Sequence, residues 1–254
     1  MLDWLNVDAI LFDVCTKADL LRLNLSAAER RYVSLLDKKS SGLGKLALVH
    51  TKRNIFMHAL SLETERLLFF EDDVRIEAAS PLSIVEQIVH LWHSLPPRWN
   101  YLNLGRCLSY CNKQRSLGSG LVQDLINLCT HSIVLDRTAM SSLLQVFANY
   151  LLPMGDDLLL AHLTSRGALI NIASDRPVFD QDRLHITSTL HLNGSPEAHL
   201  APDTCANLPL QQIFARNYHL LHEHFELADP TATRQTVPSL ENIFRPLMSE
   251  DIVW

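Results

Sequence analysis

The chain predicts an α/β fold on a mainly parallel sheet, and three observations carry that expectation. Short apolar runs alternate with longer segments of helical spacing, which is the pattern of strands joined by crossover helices. The helical segments carry their own start and stop signals, such as serine caps and a terminal glycine. Only eight glycines occur in 254 residues, which disfavours a fold made of many tight hairpins.

Taken in order, "VDAILFDV" (Val7 to Val14) is short, apolar and bounded by polar residues, as a strand would be. "LSAAERRYVSLLDKK" reads as a helix capped by Ser26. "GLGKLALVHTKRNIFMHAL" sets Leu46, Val49, Phe56 and Leu60 near helical spacing. "RLLFF" reads as the next strand, and "SPLSIVEQIVHLWHSL" as a helix with Ser80 as cap and Pro81 at its first position. "NYLNLG" is a strand and "RCLSYCNKQRSLGSG" a loop, in which Arg106, Lys113 and Arg115 read as solvated. "THSIVLD" is a strand, "RTAMSSLLQVFANYLL" a helix, and "PMGDDLLLAHLTSRG" a helix ending at Gly167. "ALINIA" is the last strand, followed by the loop "DRPVFDQDR". We divide the chain into an α/β domain over residues 1–200 and a C-terminal helix and tail over 201–254.

Composition narrows the function. Net charge is −6, so no basic surface marks nucleic acid as a partner. No apolar run reaches the roughly 18 residues of a spanning helix, and the acidic N-terminus does not read as a signal peptide. A cytoplasmic location is the expectation. Five cysteines without a repeated spacing read as reduced thiols rather than a zinc site. The helix "HLLHEH", with His219 and His222 on one face, reads as solvated.

The chemistry concentrates after "RLLFF", where Glu71, Asp72 and Asp73 follow one another with no basic residue between them. Ligands of open α/β sheets gather at the carboxyl ends of strands. Hard cations such as Mg²⁺ and Mn²⁺ prefer carboxylate oxygens and share their sphere with phosphate. In extended geometry Glu71 and Asp73 project to one side and Asp72 to the other. From these residues alone the choice between a cation site and a solvated acidic turn stays open.

Several stretches, in order, resemble glycosyltransferase family 25, the group that includes lipopolysaccharide-biosynthesis and procollagen galactosyltransferases with a GT-A (Rossmann-like) fold. "LLFFEDDV" is similar to that family's "LILEDDV", its version of the DxD motif. "GLGKLALVHTKRNIFMHAL" resembles the Gly-x-x-Gly-Cys-x-x-Ser-His helix, with Gly44 and His50 in common. "YLNLGRC" resembles the strand ending in Leu-Gly, "THSIVLDRTAMSSLL" resembles "THAYVLSRKGAKKLL", and "PMGDDLLL" and "PVFDQ" resemble the later helix start and loop. The likeness runs from about Val7 to Leu192.

The resemblance implies a transferase that moves galactose or a similar hexose from a nucleotide sugar, a UDP-sugar foremost, to a surface glycan such as lipopolysaccharide. It implies Mn²⁺ or Mg²⁺ as cofactor, with Glu71 and Asp73 as metal-side carboxylates. Asp72, His131 and Gln181 would line the donor site, with a structural hydrogen bond as the other reading of His131. Asp156 aligns with the family's aspartate and Asp157 is its rival for a catalytic or acceptor-binding part; helix capping is the other role for both. His50 reads as a buried structural histidine. The family's opening strand, with its Ile-Asn-Leu-Asp-Arg-Arg type segment, has no counterpart before "LNVDAILFDV". A non-catalytic carbohydrate-binding relative of the same fold is therefore the alternative expectation.

Overall fold

The computed structural model describes residues 9–36, 42–76, 81–106, 111–126, 129–149, 160, 163–164 and 167–182. Asp156, Asp157, the tail from residue 201 and its histidines lie outside the described residues.

Residues 9–16 form no strand; they run irregularly and mostly exposed into helix α1 (Lys17–Arg22). Ile10, Leu11 and Val14 stay in solvent because no neighbouring strand takes up their backbone. Helix α2 (Ala27–Leu36) starts as expected. Ser26 Oγ accepts from the Glu29 N–H, and the Glu29 carboxylate accepts from the Ser26 N–H, a reciprocal capping box. Helix α3 (Gly42–Ser61) is the long helix of the fold, with Leu46, Val49 and Phe56 buried.

Strand β1 (Arg66–Phe70) and the short β2 (Val74–Arg75) follow, then helix α4 (Pro81–His93) and strand β3 (Tyr101–Asn103). A 3₁₀ turn at Cys111–Lys113 leads into a hairpin of β4 (Gln114–Gly118) and β5 (Leu121–Asp124). Strand β6 (Ser132–Asp136) and helix α5 (Arg137–Asn149) come next, then β7 (Asn171–Ser174) and β8 (Asp180–Gln181). The expected stop at Gly167 holds: its φ is +71° and its N–H bonds the Thr164 carbonyl.

The main sheet has the order β1-β6-β3-β7-β5-β4, and β2 pairs with β8 in a separate two-stranded ribbon. The sheet is mixed rather than mainly parallel. Only β3 and β7 run parallel; the other four pairings are antiparallel. The hairpin explains much of this departure, because the later part of the expected loop is strand β4 and its turn, and β5 follows directly. Ser119 and Gly120 make a two-residue turn with both φ values positive, the geometry that matches strand twist. Gly118, also at positive φ, takes up the register shift beside it.

Strand alternation sorts the core into two layers. Tyr101, Ile133 and Leu135 face α3 and α5 and pack with Phe56, Met140 and Phe147. Leu102, Val134 and Ile172 point the other way and pack with Ile84 and Leu91 of α4. Helices thus cover both faces of the sheet.

Two further expectations fail. Arg106 and Lys113 are buried rather than solvated, at 4% and 5% exposure; Arg115 alone is exposed, on β4. Cys111 and Cys129 are disulfide-bonded, not reduced, while Cys15 is free.

Candidate functional site

The acids lie where the sheet topology collects chain ends. Phe70 is opposite Ser132 and Asn103 opposite Ile133, so the carboxyl ends of β1 and β3 meet the start of β6 on one edge. The parallel partner of β3, strand β7, ends on the same edge. Glu71 leaves β1 with its N–H bonded to the His131 carbonyl at 2.9 Å, and its carbonyl accepts from Val74 N at 3.3 Å. The acids therefore sit on a turn, not an extended strand. Glu71 and Asp73 are nevertheless half-buried and Asp72 exposed, the sidedness expected of alternating residues.

Glu71 has a basic partner that its neighbours in sequence do not supply. Lys52, from α3, places Nζ 3.0 Å from Glu71 Oε1, with its side chain 3% exposed. The same ammonium donates to Thr130 Oγ1 at 2.5 Å, and the Thr130 hydroxyl donates to Glu71 Oε1 at 2.7 Å. Nζ also lies 5.6 Å from the centroid of the Phe69 ring. One of the three negative charges is thus compensated from within.

Asp73 is held differently. Gln181 Nε2 donates to its Oδ2 at 3.1 Å, and Asp182 N donates to its carbonyl at 2.7 Å. Pairing of β2 with β8 brings these residues together, Val74 opposite Gln181 and Arg75 opposite Asp180. Asp73 Oδ1 is buried without a hydrogen-bond partner. Burial, and after it the negative charge of Glu71, push the carboxyl up to about 6, against the opposing bond from Gln181. A buried carboxylate oxygen left unsatisfied is a place where a cation fits. Among the described residues, though, no three His, Cys, Asp or Glu side chains converge on one point.

His131 is fully buried behind the acids, and its Nε2 lies 3.3 Å from the Phe179 carbonyl. His50 bonds Glu29 Oε1 at 2.7 Å and ties α3 to α2. Burial pushes the Glu29 carboxyl up, but the bonds from Ser26 and His50 outweigh it and hold the group below its usual range.

A second buried polar group surrounds Arg106. Its guanidinium donates to Gln114 Oε1 at 2.6 Å and to the Asp175 carbonyl, and lies 3.5 Å from Asp124 Oδ2. Asp124 Oδ1 accepts from Ile126 N at 3.0 Å. Burial outweighs these partners and lifts the Asp124 carboxyl to about 7. A shallow groove of about 350 Å³, lined by Pro96, Pro97, Arg98, Arg115, Leu117, Gln123, Ile170 and Ile172, contains none of the acidic residues.

The structure therefore brings Glu71, Asp73, His131 and Gln181 to one edge, with Asp72 at its outer side. Sequence reasoning missed Lys52 and Thr130. The signal for Lys52 was present: Val49, Lys52, Phe56 and Ala59 follow helical spacing, and three of the four are apolar core. Comparison with protein-family models returns no match for this chain, and comparison with curated proteins returns none either.

Proposed function

We propose that the chain is a metal-dependent glycosyltransferase that moves a hexose, galactose or similar, from a nucleotide sugar to a surface glycan such as lipopolysaccharide. Two things support this reading. The order of "FFEDDV", "THSIVLD" and "GDDLLL" resembles glycosyltransferase family 25. The single structural observation that carries the reading is Asp73 Oδ1, a buried and unsatisfied carboxylate oxygen at the carboxyl edge of an α/β sheet.

Asp73 would hold a Mn²⁺ or Mg²⁺ ion, with Gln181 fixing its carboxylate. When bound, such an ion neutralises a diphosphate and stabilises charge on the leaving group. Asp72, exposed beside it, would accept from a ribose or sugar hydroxyl. An acceptor hydroxyl attacks the anomeric carbon, its proton passes to Asp156 or Asp157, and nucleoside diphosphate departs. A cytoplasmic location belongs to the same proposal. No helix among the described residues is long and apolar enough to cross a membrane. The disulfide-bonded state of Cys111 and Cys129 weighs against a reducing compartment.

The test is Mn²⁺-dependent release of nucleoside diphosphate from a panel of UDP- and GDP-sugars. Release that disappears in Asp73→Asn is the expected result. Its absence for every donor and glycan acceptor, in a folded protein, removes the transferase reading. One observation favours the alternative, a carbohydrate-binding relative without turnover: Lys52 already compensates Glu71, leaving fewer carboxylates to hold an ion. That reading predicts sugar or nucleotide binding by calorimetry with no product.

A further inference from the structure

We propose that Lys52 is a positioning residue of the acidic edge, the internal counter-ion of Glu71, and that it leaves Asp73 as the carboxylate that meets an incoming cation. The inference rests on the metal reading above and refines it.

Lys52 occupies the core-facing stripe of α3 between Val49 and Phe56, a place where a charge is costly to desolvate unless paired. It is paired to Glu71 Oε1 and to Thr130 Oγ1, and Thr130 closes the triangle by donating to the same Glu71 oxygen. Glu71 is also fixed by its backbone, through the bond from its N–H to the His131 carbonyl. Its carboxylate is therefore held from both sides of Oε1 and already faces a positive charge at 3.0 Å. A metal ion brought to that carboxylate would meet the ammonium as a like charge at close range. Asp73 has no such partner: an amide holds one oxygen, and the other is buried and unsatisfied.

This division of labour separates the variants. Mn²⁺ uptake is read by electron paramagnetic resonance of the free ion, with UDP present, on the full chain. Asp73→Asn weakens Mn²⁺ binding roughly tenfold or more, whereas Glu71→Gln weakens it about threefold or less. Lys52→Met strengthens Mn²⁺ binding, because Glu71 loses its counter-ion and becomes available. Lys52→Met/Glu71→Gln brings the affinity back to that of Glu71→Gln, and as it leaves no charge buried without a partner it also serves if Lys52→Met does not fold. Equal losses in Asp73→Asn and Glu71→Gln would make Glu71 a ligand and overturn the inference. So would a double variant that binds Mn²⁺ as poorly as Asp73→Asn. A folded wild type that takes up no Mn²⁺ overturns the metal reading itself, and this inference with it. Wild-type uptake with equal losses overturns this inference alone.

Discussion

The ring of His131 lies directly on Gly105: a Cβ built there would fall 2.3 Å from Nε2 and 2.6 Å from Cδ2. Gly105 follows β3 and His131 precedes β6, so the contact joins the two neighbouring strands just where they reach the acidic edge. The absence of a side chain lets the imidazole reach the Phe179 carbonyl. Gly105→Ala should cost about 1–3 kcal/mol, because a fully buried ring must shift to admit the methyl. Urea unfolding of Gly105→Ala, His131→Ala and the double variant checks this. The double variant should lose less than the sum of the singles, and simple additivity would refute the contact.

Asp73 makes stability depend on pH in a defined direction. Its carboxyl is raised from 3.8 to about 6 by burial, so the folded protein binds a proton there that the unfolded chain has released. Its contribution is therefore unfavourable above pH 6 and fades as pH falls from 6 towards 4. Asp73→Asn should stabilise the protein at pH 7.5 by on the order of 1 kcal/mol, discounted for solvent screening. At pH 4 the difference should vanish. Chemical unfolding of both proteins across that range measures it, and a variant less stable at pH 7.5 would reverse the assignment.

Arg106 should be the most sensitive charged position of the described fold. Its guanidinium is buried against Asp124, Gln114 and the Asp175 carbonyl. Arg106→Met strips the positive charge from Asp124 and should cost about 3–5 kcal/mol. Asp124→Asn should cost less, because an amide oxygen still accepts from Ile126 N and Arg106 keeps its other two acceptors. Equilibrium unfolding at pH 7.5 ranks the two, and an Arg106→Met loss within about 0.5 kcal/mol would show the network to be solvated.

Thiol labelling separates the cysteines. Cys111 and Cys129 are disulfide-bonded and should resist iodoacetamide until a reductant is added. Cys15 should label without reductant, though slowly, because burial and then Asp19 push its thiol above the ordinary value. Mass spectrometry of protein alkylated at the moment of lysis gives the answer. Free Cys111 and Cys129 in that sample would remove the objection to a cytoplasmic location.

What the sequence alone determined about this protein is local. The Ser26–Glu29 cap, the long helix from Gly42, the apolar strands Arg66–Phe70 and Ser132–Asp136 and the stop at Gly167 are set by spacings of three and four, alternation or a single glycine. The same local rules placed the acids at a strand end, whereas the outward side of Asp72 comes from a turn rather than from strand alternation. Tertiary structure alone decided the rest. Strand direction follows from which edges pair across long stretches of chain, so a mixed sheet and a mainly parallel one share the same alternating pattern. The β4–β5 hairpin hid because its first strand "QRSLG" is polar and exposed, which leaves the turn glycines and the short apolar pair Leu121 and Val122 as its signals. Helical spacing marked Lys52 as core-facing but did not show which acid it would meet. A charge is compensated by whatever lies within a few ångströms in space, and only the packing of α3 against the sheet carries Lys52 there.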